Sequence, residues 1–153
     1  MRNRPLLLLF SLSLAACAPA GNESAHGMSI SSPAFADGAA IPVKYTCDGE
    51  NINPPLAFHG VPKGAMTLSL RVIDPDARNF THWSLDDMPP YSAGIEENVK
   101  KLVASVEKND FGAMGYGGPC PPHGKTHHYV FNLVAKRGQQ ILAKATLTGT
   151  FTH

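Results

Sequence analysis

Apolar and polar residues alternate from Met66 to Ile73, the period of a strand with one buried face. Pro75 disfavours helix at Asp74, so this strand is predicted to end in a turn that carries a carboxylate. Thr81 to Asp87 gives a second short strand, closed by Met88-Pro89-Pro90. His127 to Ala135 gives a third, with Tyr129, Phe131 and Leu133 on its inward face and His127 in the same phase. His128 falls in the opposite phase, toward solvent. Ile141 to Phe151 gives a fourth. Its apolar face is Ile141, Ala143, Ala145, Leu147 and Phe151, and its polar face is Lys144, Thr146, Thr148 and Thr150. Ile30 and the segment Ile41 to Thr46 are two further strand candidates. Only Ile95 to Lys108 has helical character, and it is weak. Between Leu133 and Ile141, local rules predict a hairpin with a Gly-containing loop. The pattern is mostly β, an antiparallel β-sandwich with few short helices and long loops.

The N-terminus departs from this pattern. Arg2 and Arg4 precede an apolar run from Leu6 through Leu14, and the stretch ends Leu14-Ala15-Ala16-Cys17. A charged start, a short apolar middle and small residues at the end make a secretory signal over residues 1–16. The ending resembles a bacterial lipobox, which makes Cys17 the acylated first residue of the mature protein. Ala18 to Gly27 is small and polar, so residues 17–27 read as an anchored tether before a domain at 28–153. This places the domain outside the cytoplasm of a bacterial cell. Ala18 does not supply the Asp that resembles an inner-membrane retention signal, so outer-membrane placement follows where there are two membranes. In that compartment Cys47 and Cys120 either pair or remain two buried thiols; the sequence leaves both open. The formal charge is +1, falling to −1 when Arg2 and Arg4 leave with the signal. No basic face argues for nucleic acid.

Two runs concentrate the chemistry. One is Asp74-Pro75-Asp76-Ala77, followed by His82-Trp83; the other is Tyr116-Gly117-Gly118-Pro119-Cys120-Pro121-Pro122-His123, followed by His127-His128-Tyr129. Asp74 ends a strand and His127 begins one, so both can meet at one rim. The glycine run offers backbone N–H groups, and His82, His127 and Tyr129 offer N–H and O–H donors. Convergent donors suit a small anion. Asp74 would repel it unless its charge is offset, either by a proton shared with His82 or His127 or by an ammonium on the ligand. Taken singly, each residue has a plainer use: an Asx turn for Asp74 and Asp76, core for Trp83, an exposed loop for His123. No serine sits in a nucleophile-elbow context, and Cys120 lies between prolines without evident activation, so no catalytic residue is assigned. A zinc site from His82, His127 and Asp74 lacks supporting spacing. No metal or cofactor is expected.

These runs, with Tyr45-Thr46-Cys47-Asp48-Gly49-Glu50-Asn51, Pro54-Pro55-Leu56 and Asn109-Asp110-Phe111-Gly112, resemble the phosphatidylethanolamine-binding proteins, in the bacterial branch similar to Raf kinase inhibitor protein. The resemblance runs from about Ile30 to Phe151. It implies a β-sandwich with an anion pocket formed by Asp74, His82, Gly118, Pro119, His127 and Tyr129, accepting phosphate, acetate or phosphoethanolamine head groups. Family members also inhibit kinases or serine proteases, which makes a protein target the alternative role. Outside a bacterial cytoplasm an extracytoplasmic hydrolase is the better target. The expected partners are thus a small anion or phospholipid head group, a membrane through the lipid anchor, and a protein target as the alternative. The chain departs from the family pattern at Arg78, Asp87 and His128. The connection after Leu133 is shorter than the family's, which usually carries an amphipathic helix there, so it either exposes surface that the helix would cover or reshapes one pocket wall.

Overall fold

The computed structural model describes residues 27–153. The signal segment, Cys17 and the tether up to residue 26 lie outside the described residues. The domain has eight strands: β1 (Ser29–Ser31), β2 (Leu56–His59), β3 (Thr67–Asp74), β4 (Phe80–Met88), β5 (Gly94–Ile95), β6 (Ser105–Val106), β7 (Thr126–Arg137) and β8 (Gln140–Thr152). They form a three-stranded sheet, β1-β2-β5, and a five-stranded sheet, β6-β4-β3-β7-β8, with antiparallel pairing between neighbours. The core lies on the inner faces. Leu68, Leu70 and Val72 of β3 pack with Tyr129, Phe131 and Leu133 of β7, and with Ile30, Leu56 and Phe58 of the smaller sheet.

The strand phases explain where the polar residues go. On β3 the buried positions are Leu68, Leu70, Val72 and then Asp74, so the carboxylate inherits the inward phase of the core. On β7 the inward series Ala135, Leu133, Phe131 and Tyr129 ends on His127. β3 and β7 are adjacent and antiparallel, with Ile73 opposite Val130, so both polar ends reach one rim of the sandwich.

Three expectations are corrected, and one strand was missed. Ile141 is 49% exposed rather than inward. Ala135 pairs with Ala143 but Lys136 pairs with Ile141, so the extra residue Leu142 forms a bulge that reverses the phase. Ile41 to Thr46 is not a strand; it forms a bridge at Ala40 and a 3-10 turn, Val43–Tyr45. Ile95 to Lys108 contains no helix. The Asn53 side chain accepts from Val99 N and donates to Glu96 O, taking groups that helical bonding would use, and Ser105–Val106 pairs with β4. β2 was not predicted at all. The helical content among the described residues is two 3-10 turns, the second being Pro75–Ala77.

The hairpin after Leu133 forms as predicted, with Gly138 at φ 56° in a tight turn between Arg137 and Gln140. The outer face of the large sheet carries an open groove of about 430 Å³ between Ile73, Val134 and Ile141. Cys47 and Cys120 form a disulfide with Cα atoms 5.4 Å apart.

Candidate functional site

A cavity of about 210 Å³ opens at the rim where β3 and β7 end, lined by Asp74, Phe80, His82, Phe111, Pro122 and His127 among others. His82 reaches it through a second bulge. Val72 pairs with Trp83 and Ile73 with Thr81, leaving His82 as the extra residue of β4. Strict alternation would bury Trp83 and expose His82; the bulge buries both. Phe80, opposite Asp74, lines the cavity from the same strand.

Both histidine rings are held by their Nδ1 atoms. His82 Nδ1 donates to Gly117 O at 2.8 Å, and Gly117 N donates back to His82 O at 2.9 Å. His127 Nδ1 donates to Asp74 Oδ2 at 2.7 Å. The acceptors are a carbonyl and a carboxylate, so each Nδ1 carries hydrogen. Among the described residues neither Nε2 has a hydrogen-bond partner, which leaves each as the ring's free nitrogen at the cavity. Three aromatic rings fix His82 further: Phe80 at 5.3 Å, Phe111 at 5.3 Å and Tyr129 at 5.1 Å, all edge-on. Burial pushes the His82 imidazole below the ordinary histidine value, against smaller upward pulls from the Gly117 carbonyl and Asp74.

Asp74 is almost wholly buried and both its oxygens are engaged. Oδ1 accepts from Ala77 N at 3.0 Å, capping the 3-10 turn, and Oδ2 takes His127. The Asx-type turn and the pocket role therefore coexist in one side chain. Asp76 faces away and accepts from both the backbone N and Nδ1 of His128, which hold its carboxyl below the usual range; His128 is exposed, as its phase requires.

The remaining sequence candidates are placed differently. Tyr129 stands behind His82, and its Oη is buried with no hydrogen-bond partner. Its phenol is pushed up, chiefly by burial and next by Asp74, so it stays protonated. Gly118 lies on the other side of Phe111, in a neighbouring cavity of about 290 Å³, and its N–H is already given to Asn51 Oδ1 at 2.7 Å. Gly117 N–H is likewise engaged by His82 O, so the glycine run does not present these amides to the rim. Pro119 is fully buried and its carbonyl accepts from Cys47 N. Phe80 and Phe111 were missed as lining. Phe80 is two residues before His82, a same-face spacing that signals it; Phe111 is carried by a loop that Asp110 ties to Thr81 through two bonds.

Residues 31–152 match the family described as phosphatidylethanolamine-binding protein. The chain belongs to that family. A relative from the archaeon Methanothermobacter thermautotrophicus, called a UPF0098 protein, is 49% identical over 115 residues, 71% of this chain and 76% of that one. LppC of Mycobacterium tuberculosis, whose name calls it a lipoprotein, is 42% identical over 113 residues, covering 72% of this chain and 55% of LppC. The crystal structure of a phosphatidylethanolamine-binding protein homolog from Chlamydia trachomatis superposes with a TM-score of 0.76 at 33% identity, covering 83% of this chain and 98% of that one. The family and the sandwich agree with the sequence reading. Among the described residues no helix is long and apolar enough to cross a membrane.

Proposed function

We propose that the protein is a non-catalytic binding module, anchored outside the cytoplasm by an acylated Cys17, whose rim cavity takes a small anion of the phosphate, carboxylate or phosphoethanolamine class. What carries the reading is the shared arrangement of His82 and His127. Each Nδ1 is committed to an inward acceptor, and the free Nε2 atoms line one small cavity with no protein partner. An anion that brings a proton, or draws one onto a ring, completes both nitrogens.

The geometry also favours one of the two ways of offsetting Asp74. Its carboxylate is paired with His127 and capped by Ala77 N, so a ligand ammonium is not needed to balance it. The binding group is therefore the anion, and a head group's amine extends out of the cavity. The lipobox-like ending at Cys17 and the lipoprotein name of LppC support the anchor.

Calorimetry on residues 18–153, which keep every described residue, tests the pocket. Inorganic phosphate and phosphoethanolamine are expected to give saturable heats that His127→Ala abolishes. A wild-type domain giving no heat at millimolar ligand rejects it. For the anchor, Cys17→Ala is expected to move the protein out of the membrane fraction; a variant that still partitions with membranes rejects acylation.

A further inference from the structure

A second cluster lies beside the anion cavity and shares Cys120 with its wall, where three distant segments meet. Cys47 Sγ, Cys120 Sγ and a His153 ring nitrogen lie within 4.8 Å of one another. Asp48 Oδ1 is 3.0 Å from His153 Nε2 and 3.9 Å from Cys47 Sγ. The His123 ring stacks on His153 with centroids 3.8 Å apart. His153 Nδ1 donates to Pro121 O at 2.8 Å, so Nδ1 keeps its hydrogen and Nε2 is the atom that meets the Asp48 carboxylate. An imidazole held by Nδ1–H to a carbonyl, with Nε2 presented to other donors, is the arrangement of a metal-ligating histidine.

We propose that reduction of the Cys47–Cys120 disulfide turns this cluster into a tetrahedral zinc site, with both thiolates, His153 Nε2 and the Asp48 carboxylate as ligands. A tetrahedral site with zinc–sulfur bonds of about 2.3 Å separates its ligand atoms by roughly 3.3–3.8 Å. The distances from Asp48 to His153 and to Cys47 fall close to that range already. The larger adjustment is the parting of the two sulfurs. The His153 and Asp48 side chains are 21% and 38% exposed, so an ion has a way in.

The chemistry balances with a dithiol reductant. The reductant loses two electrons and two protons and closes its own disulfide; the Cys47–Cys120 bond breaks and two thiols form. The divalent ion then displaces both thiol protons to water. In the oxidised protein the sulfurs are bonded to each other and the site has no thiolate.

Cobalt(II) is the probe, on residues 18–153, which omit Cys17 and so contain only these two cysteines. The reduced domain is expected to bind one cobalt with a thiolate-to-metal charge-transfer band and tetrahedral visible bands, and the oxidised domain to show neither. His153→Ala is expected to weaken binding by more than the roughly 10–100-fold that loss of an outer hydrogen-bond partner costs. Zinc is expected to raise the melting temperature of reduced wild type and not of reduced His153→Ala. A reduced domain without the charge-transfer band overturns the proposal. So does a His153→Ala variant of unchanged affinity, or a reduced domain that unfolds and that cobalt does not refold.

Discussion

His127 Nδ1 stands 2.7 Å from Asp74 Oδ2, joining the ends of two adjacent strands through side chains that are 15% and 4% exposed. The same carboxylate caps the turn after β3 through Ala77 N. Asp74→Ala strips partners from both donors at once. The expected loss is about 2–4 kcal/mol, from one charge-assisted bond, one cap and a half-buried ring left unpaired. Asp74→Asn keeps a carbonyl oxygen for one donor and is expected to cost less. Urea denaturation measures both. An Asp74→Ala domain within about 0.5 kcal/mol of wild type, the range of ordinary surface substitutions, would show that the pair does not hold the rim.

His82 sets a pH dependence. Burial lowers its folded value below the ordinary 6.5. Between those two values the unfolded chain binds more protons than the folded one, so stability rises with pH. The His82 contribution is therefore present above about pH 7 and lost as pH falls through the ordinary histidine value toward the folded one. Asp76 also titrates below its usual 3.8, so its own stabilisation is lost only at still lower pH and outside this window. Denaturation midpoints measured from pH 7.5 to about 5 are expected to fall for wild type and to fall less for His82→Gln. Phosphate reverses the sign locally, since a proton on Nε2 favours the bound anion. Phosphate affinity is expected to rise on acidification, with net proton uptake in calorimetry across buffers of different ionisation heat. Affinity independent of pH from about 7.5 to 5.5 would remove His82 from the anion's shell.

The parts of this site that could be read from sequence are those where strand phase runs unbroken. Asp74 closes the series Leu68, Leu70, Val72, and His127 opens the series Tyr129, Phe131, Leu133. Period two alone therefore brought both to the inner rim. It failed at two bulges. His82 is inward because β4 has one residue more than its partner there, and Ile141 is outward because of Leu142. Nothing local announces either. Loop organisation was hidden for a different reason: Asn53 and Asn51 satisfy backbone groups 46 and 67 residues away, which no short window contains. The disulfide was undecidable in the same way, its cysteines being 73 positions apart. The Gly117-Gly118 run was read as backbone N–H groups offered to an anion, but Asn51 Oδ1 and the His82 carbonyl take them.

Gly118 comes close to the loop from Tyr45 to Asn51. A Cβ there would stand 2.4 Å from Tyr45 O, 2.5 Å from Asn51 Oδ1 and 2.9 Å from Thr46 Cα. Two of these are backbone atoms, and they cannot swing aside as a side chain could. Gly118→Ala is expected to cost about 2–3 kcal/mol, the upper range for overpacking, and to disturb the Asn51 bond. Gly124→Ala is the control: its φ of 73° is strained for alanine, but no atom lies within 4 Å of the added carbon. Its cost is expected to be about 1 kcal/mol from backbone strain alone. Equal melting temperatures for the two variants would mean that the loop yields to Gly118 substitution.

The Cys47–Cys120 bond ties the loop after the first 3-10 turn to the segment that walls both cavities, closing 73 residues of chain. A cross-link of that span removes enough unfolded-state entropy to contribute about 4 kcal/mol, if the native backbone is unstrained by it. Cys47 N also donates to Pro119 O, so the two segments stay in register without the sulfur bond and a reduced domain keeps a folded reference state. The Cys47→Ser, Cys120→Ser double variant is therefore expected to remain folded with a melting temperature lower by roughly 10–20 °C, from about 4 kcal/mol at the entropy of a domain this size. Because Cys120 borders the cavity that His82 and His127 line, phosphate affinity in the variant reports whether the wall moves. Unchanged stability would mean that the closed loop is already restrained in the unfolded chain, and the entropic account of this disulfide would fail.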